Sequence, residues 1–215
     1  GEERLVVRVD SFQDNVTDVN LNVIEDFLII VNPVNDAPEI DVPGAQTTNE
    51  GTAITIGGIS VSDVDVNETN SPDNTISVTL SVSHGILNVS GGAGIVGNGT
   101  ASVVVTGTLT DVNTTIGNVR YTPDANYNGI DTLTVSANDL GHTGGNPLSV
   151  TQTIVLTVNP VNDAPTNPNN VDLTAIPEDI PPLSNTGTLV SSIVTSSGAS
   201  DTDSSPLGIA ITSRD

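Results

Sequence analysis

Asp63 and Asp65 flank a valine, and Asp201 and Asp203 flank a threonine. Each Asp-x-Asp follows a glutamate, Glu50 or Glu178, and before that an Asn-Asp pair, Asn35-Asp36 or Asn162-Asp163. Asp and Asn are common in turns, where their side chains bond local backbone, and any one of these residues alone reads that way. The same ordered set occurring twice points instead to a shared cation. Two carboxylates about 5 Å apart repel by about 1–3 kcal/mol at an effective dielectric of 80 to 20, so a cluster of four or five needs positive charge to stay together. Calcium takes six to eight hard oxygens, which carboxylates, amides and backbone carbonyls supply. The expected first set is Asn35, Asp36, Asp63, Asp65 and Asp139. The expected second set is Glu50, Asn162, Asp163, Asp201 and Asp203, with Glu178 as the counterpart of Glu50 one repeat later.

The elements that must position these donors are marked by a repeated string. Val-Asn-Pro-Val-Asn-Asp-Ala-Pro stands at Val31–Pro38 and again, letter for letter, at Val158–Pro165, which makes it the ruler of a tandem repeat. An apolar run precedes each copy, Phe27–Val31 and Ile154–Val158. The two prolines in each copy cannot donate to a sheet ladder and bias their neighbours to extended backbone, so the string reads as a stiff linker. Residues 1–34 are then the last strands of one repeat, 35–163 a complete repeat and 164–215 the opening of a third. The alternation of Leu5, Val7 and Val9 resembles that of Leu133, Val135 and Ala137. With no initiating Met and a last residue partway through a repeat, the chain is expected to be a piece of a longer protein.

Composition narrows the partners. There are 26 acidic residues against four arginines and no lysine, a formal charge of −22. Such a chain repels phosphate backbones and anionic lipid, which argues against nucleic-acid or membrane-surface binding. Hydrophobic content of 35%, arranged with period two, argues for folded strands rather than disorder. Without cysteine there is neither a disulfide framework nor a thiolate metal site, and rigidity must come from elsewhere. No apolar stretch approaches the length of a membrane span.

Strands are expected at 53–56, 59–61, 75–82, 86–89, 102–106, 131–137 and 149–158. Val112, Ile116 and Val119 fall at helical spacing behind Asp111, a plausible N-cap, which predicts one short helical turn. Seven strands in such a length suggest an antiparallel sandwich.

These residues resemble the cadherin-like tandem repeats of large bacterial surface proteins and adhesins. Asn35-Asp36-Ala37-Pro38 and Asn162-Asp163-Ala164-Pro165 look like the cadherin linker, Glu50 and Glu178 its early glutamate, the two Asp-x-Asp pairs its counterpart, and Ser136-Ala137-Asn138-Asp139 its late Ala-x-Asp. Tyr121–Asp131 is similar to bacterial members, as is Pro206–Ile211 to the start of a related repeat. The likeness covers nearly all of residues 25–163. It departs from the family at Pro33 and Pro160, which replace the first linker aspartate, and it lacks an Asp-Arg-Glu motif, for which Asp124, Asn126 or Asp131 would stand in. One or two calcium ions per junction are therefore expected rather than three. The resemblance implies all-β, tandem Greek-key β-sandwich repeats, extracellular display on a bacterial surface, and calcium-stiffened linkers with adhesion as the usual role. The implied partners are neighbouring repeats of the same polypeptide and a glycan or protein receptor.

Other signals are weaker. Gly91–Val96 begins like a calcium β-roll nonapeptide but has valine where aspartate is needed, and reads as a hairpin loop. His84 and His142 lie beside glycines in turns, with no nucleophile motif, so no enzyme is expected. Asn88-Val89-Ser90 and Asn98-Gly99-Thr100 match glycosylation acceptors that such a composition produces by chance. Two alternatives to a spacer remain open: a fibre subunit joined head to tail by strand complementation, and a carbohydrate-binding module, which the scarcity of aromatics (2%) disfavours.

Overall fold

The computed structural model describes residues 34–66, 74–141, 145–171, 190–203 and 207. The leading alternation of Leu5 to Val9, the run at 27–31, His142 and Glu178 lie outside them, as does all of 206–211 except Leu207. The chain divides into two compact units between Asn159 and Pro160.

The first unit is all-β. Eleven strands are described: β1 (Glu39–Asp41), β2 (Gln46–Asn49), β3 (Ile54–Gly57), β4 (Ser60–Ser62), β5 (Thr75–Ser81), β6 (Gly85–Asn88), β7 (Gly94–Val96), β8 (Ser102–Thr108), β9 (Asn118–Pro123), β10 (Gly129–Asn138) and β11 (Ser149–Asn159). Six form one sheet in the order β2-β11-β10-β5-β8-β7, three form a second, β3-β9-β6, and β1 pairs with β4. Pairing is antiparallel except between β2 and β11, which run parallel. Pro43, which has no N–H to give a ladder, separates β1, paired with β4, from β2 at the edge of the six-stranded sheet.

Alternation dictates the core. Along β5 Ile76, Val78 and Leu80 are fully buried, and across the register Val78 meets Val105 on one side and Ala137 on the other. Leu133, Val135, Ile154 and Leu156 continue this face, while Ile56, Leu87, Val119 and Tyr121 close it from the smaller sheet. At about 25 cal/mol per Å² of apolar area removed from water, this interior is the main stabilising element.

Between β8 and β9 lies α1 (Leu109–Ile116), capped by Thr108 rather than by Asp111. Asp111 is instead the third helical residue: its N–H donates to Thr108 Oγ1 (3.2 Å) and its carboxylate accepts from the same hydroxyl (2.8 Å). Val119, expected to continue the helical stripe, belongs to β9, because Gly117 ends the helix first. The inward face of α1, Val112, Thr115 and Ile116, is buried. Asn113 ties this helix to β4 as a strand residue would, accepting from Val61 N (2.8 Å) and donating to Val61 O (2.8 Å). The glycine run also departs from expectation: Gly94–Val96 forms β7 against β8, and a Cβ on Gly91 would fall 2.0 Å from Thr115 Oγ1.

In the second unit the described residues include α2 (Val190–Ser197) and a bridge between Thr166 and Ser200, with Thr166 N donating to Ser200 O (2.8 Å) and Ser200 N to Thr166 O (3.0 Å). The molecule thus has a second helix of eight residues where one helical turn was expected. Among the described residues no helix is long and apolar enough to cross a membrane.

Candidate metal centre

The five donors expected at the first linker come together in the first unit. Asn35 is 8% exposed, and its side-chain amide donates to Asp139 Oδ2 (2.7 Å) and to Asn146 O (3.0 Å). Asp36 N donates to Asp65 Oδ2 (2.6 Å). The Asp-x-Asp is a tight turn rather than an extended stretch: Asp63 Oδ1 accepts from Asp65 N (2.8 Å) and from Val66 N (3.2 Å). Asp139 is fully buried, and its Oδ1 accepts from Gly141 N (2.9 Å) and Leu148 N (2.8 Å). The turn that wraps it places Leu140 at φ 62°, a left-handed conformation costly for a branched side chain. Asn138 Oδ1 fastens that turn by accepting from Leu140 N (2.9 Å).

Two oxygens in this cluster are buried without a hydrogen bond, Asn35 Oδ1 and Asp63 Oδ2. An unmet buried acceptor costs about 1–3 kcal/mol, and more when charged. Burial raises the Asp63 carboxyl above the ordinary carboxylate value. The Asp65 and Val66 N–H bonds act in the opposite direction, and the charges of Asp65 and Asp139 push it up again. An open cleft of about 370 Å³ lined by Asp36, Ala37, Glu39, Ser62, Asp63 and Val64 lies against the cluster. A hard cation fits this donor set, since it meets unbonded carbonyl and carboxylate oxygens and offsets the repulsion around Asp63. Among the described residues no three His, Asp or Glu side chains are grouped closely enough to hold an ion alone. An ion here would need amide and carbonyl oxygens, Asn35 Oδ1 among them, to complete its shell.

The other expected donors divide between the units. In the first, Glu50 is 9% exposed; its N–H donates to Asn159 O (2.8 Å) and its Oε2 lies 3.5 Å from Asn128 Nδ2. In the second, Asp163 N donates to Asp203 Oδ2 and Asp203 N to Asp201 Oδ1 (2.9 Å), the same arrangement as Asp36, Asp65 and Asp63. Asn162 differs from Asn35: it is exposed and its amide donates to Asp163 O (2.9 Å).

Asp131 spends both carboxylate oxygens on hydrogen bonds within the fold. It is 3% exposed and accepts from Ser83 N (3.1 Å), His84 N (3.0 Å), Thr132 N (2.8 Å) and Tyr121 Oη (3.0 Å). Tyr121 Oη also lies 2.7 Å from His84 O. Burial, then the Asp131 charge, raises the phenol far above its ordinary value. His84 stacks on Tyr127 with ring centroids 4.1 Å apart. Asp124 and Asn126 are exposed, Asn126 in a left-handed conformation.

No family model and no curated protein sequence matches the chain. Among solved structures it is similar to AggA, the major subunit of aggregative adherence fimbriae type I from Escherichia coli, at 19% identity and a TM-score of 0.37, over 60% of this chain and 99% of that one. It is also similar to a nucleoside hydrolase-related hypothetical protein from Saccharophagus degradans associated with carbohydrate metabolism, at 17% identity and a TM-score of 0.30. That match covers 63% of this chain and 28% of the other, so the chain spans less than a third of its length. At these scores neither likeness bears on function.

Proposed function

We propose that the chain is a non-enzymatic, calcium-stiffened spacer of β-sandwich repeats from an extracellular bacterial surface protein. The observation that carries this reading is the pair of buried, unbonded oxygens, Asn35 Oδ1 and Asp63 Oδ2, in one loop cluster with Asp36, Asp65 and Asp139. Calcium would be held there by Asn35 and Asp63 with support from Asp65 and Asp139, and it would supply the positive charge that fixes those loops. The recurrence of the Asp163, Asp201 and Asp203 arrangement in the second unit supports the same role one repeat on. Extracellular modules bind calcium at about 10⁻⁴ to 10⁻³ M, which fills such sites outside a cell and leaves them empty before export. The test is a calcium titration of the chain followed by thermal melting and small-angle scattering. Calcium is expected to raise the melting temperature and to fix the maximum dimension; chelated and calcium-loaded protein behaving alike in both would sink the proposal.

Assembly into a fibre by strand addition is a second reading. It is favoured by β7, the terminal strand of the larger sheet among the described residues, whose Val96 is 71% exposed. A concentration-independent monomer in sedimentation would remove it.

A further inference from the structure

The sequence contains two Asn-Gly dipeptides, Asn98-Gly99 and Asn128-Gly129. Asn-Gly is the pair most prone to spontaneous deamidation, because glycine has no Cβ to crowd its nitrogen as it approaches the asparagine side chain. The fold treats the two pairs differently. Asn98 is locked: its Oδ1 accepts from Val89 N (2.9 Å), its Nδ2 donates to Val89 O (3.0 Å), and Gly99 N, the nucleophile, donates to Leu87 O (2.8 Å). Cyclisation there requires all three bonds to break. Asn128 is exposed and its described side-chain contact is the long one to Glu50 Oε2, 3.5 Å; Gly129 is the first residue of β10, opposite Val158, so its nitrogen lies at the outermost rung of the β10–β11 ladder, where a sheet opens most easily. Gly129 has φ 136°, where a side chain would be strained, so glycine is fixed at this position by the backbone itself.

We propose that Asn128-Gly129 is a self-modification site at which the folded protein deamidates selectively. The Gly129 nitrogen attacks Asn128 Cγ, a new N–C bond forms, and the side-chain nitrogen leaves as ammonia, carrying the proton lost by Gly129. Water then opens the cyclic imide at either carbonyl, giving aspartate or isoaspartate. The net reaction consumes one water and releases one ammonia, with no other reactant. Beside the modified residue lies the largely buried Glu50 carboxylate, so an amide–carboxylate contact becomes a pair of carboxylates. Like charges at this separation oppose each other, and ageing would loosen this end of the sandwich unless a cation is present.

Peptide mapping by mass spectrometry after incubation at neutral pH tests the site, with the urea-unfolded chain as reference. In the unfolded chain both pairs are expected to convert. In the folded chain Asn128 is expected to convert while Asn98 keeps its amide, and Asn128→Gln is expected to abolish the acidic species. Asn128→Asp is expected to melt below the parent in chelator, with calcium narrowing the difference. Retention of the Asn128 amide in the folded chain, or conversion of Asn98 at the same rate, would overturn the proposal.

Discussion

Asp63 concentrates the electrostatic tension of the candidate centre. One of its oxygens holds the Asp-x-Asp turn and the other is buried without a hydrogen bond, while burial and two neighbouring carboxylates favour its protonated form. An acid whose folded-state value is raised binds protons more readily folded than unfolded. In chelator, stability should therefore fall as pH rises through that raised value and recover on acidification towards the ordinary carboxylate range. Asp63→Asn should remove this dependence, raise the melting temperature of the calcium-free protein and blunt its response to calcium, all measurable by melting across pH. Tyr121 presents the opposite case, a buried hydroxyl whose single hydrogen has two acceptors in reach, His84 O and Asp131 Oδ2. Tyr121→Phe deletes its contacts to His84 O and Asp131 and should cost about 1–3 kcal/mol in urea denaturation. The types of the donor residues were legible before the fold was known, because carboxylates and amides recur in one order. Their division of labour was not. That Asp139 uses its oxygens on Asn35, Gly141 and Leu148, and Asp131 on three backbone amides and a phenol, depends on loops distant in sequence.

At the scale of elements, α1 and β4 carry the most specific interaction. Asn113 pairs with both backbone groups of Val61, giving a sheet residue a partner from a helix. Asn113→Ala should leave those groups to water or unpaired and lower stability by about 1–3 kcal/mol, seen as a lower urea midpoint with unchanged slope. The longer strands were legible: β5, β8, β10 and β11 lie where their apolar pattern placed them, β5 one residue shorter and the others longer by one or two residues at an end. Three short strands, β3, β4 and β6, also lie within one residue of the expected runs, whereas three others were not legible. β1, β2 and β7 have three or four residues each, and one buried side chain at most gives no period to detect. In β9 the i, i+4, i+7 spacing of Val112, Ile116 and Val119 mimicked a continuing helix, and only Gly117 marked the change. The expected antiparallel sandwich was right in class, but the parallel pairing of β2 with β11 left no local trace, since its partners are about a hundred residues apart.

At the scale of the first unit, the larger sheet presents neutral outward rows. Across the register of the larger sheet, Thr153, Thr134, Ser81 and Ser102 form one outward row and Ser149, Asn138, Ser77 and Thr106 another, with no ionisable group in either. The acidic donors lie in loops, where a chain of charge −22 gains most from a divalent ion. At about 1 mM calcium and a dissociation constant of about 10⁻⁴ to 10⁻³ M, each proposed site would add about 0.4–1.4 kcal/mol. That corresponds to about 2–6 °C in melting temperature for a module of this size, the shift the titration should show. The β2–β11 pairing has a mechanical consequence. Because the strands run the same way, tension applied at Gln46 and at Asn159 would pull β2 and β11 in opposing directions along their common axis. The hydrogen bonds from Gln46 to Asn49 are then loaded together rather than unzipped one by one. In single-molecule pulling such a module is expected to yield abruptly, at a single high force, after bearing load at nearly constant length.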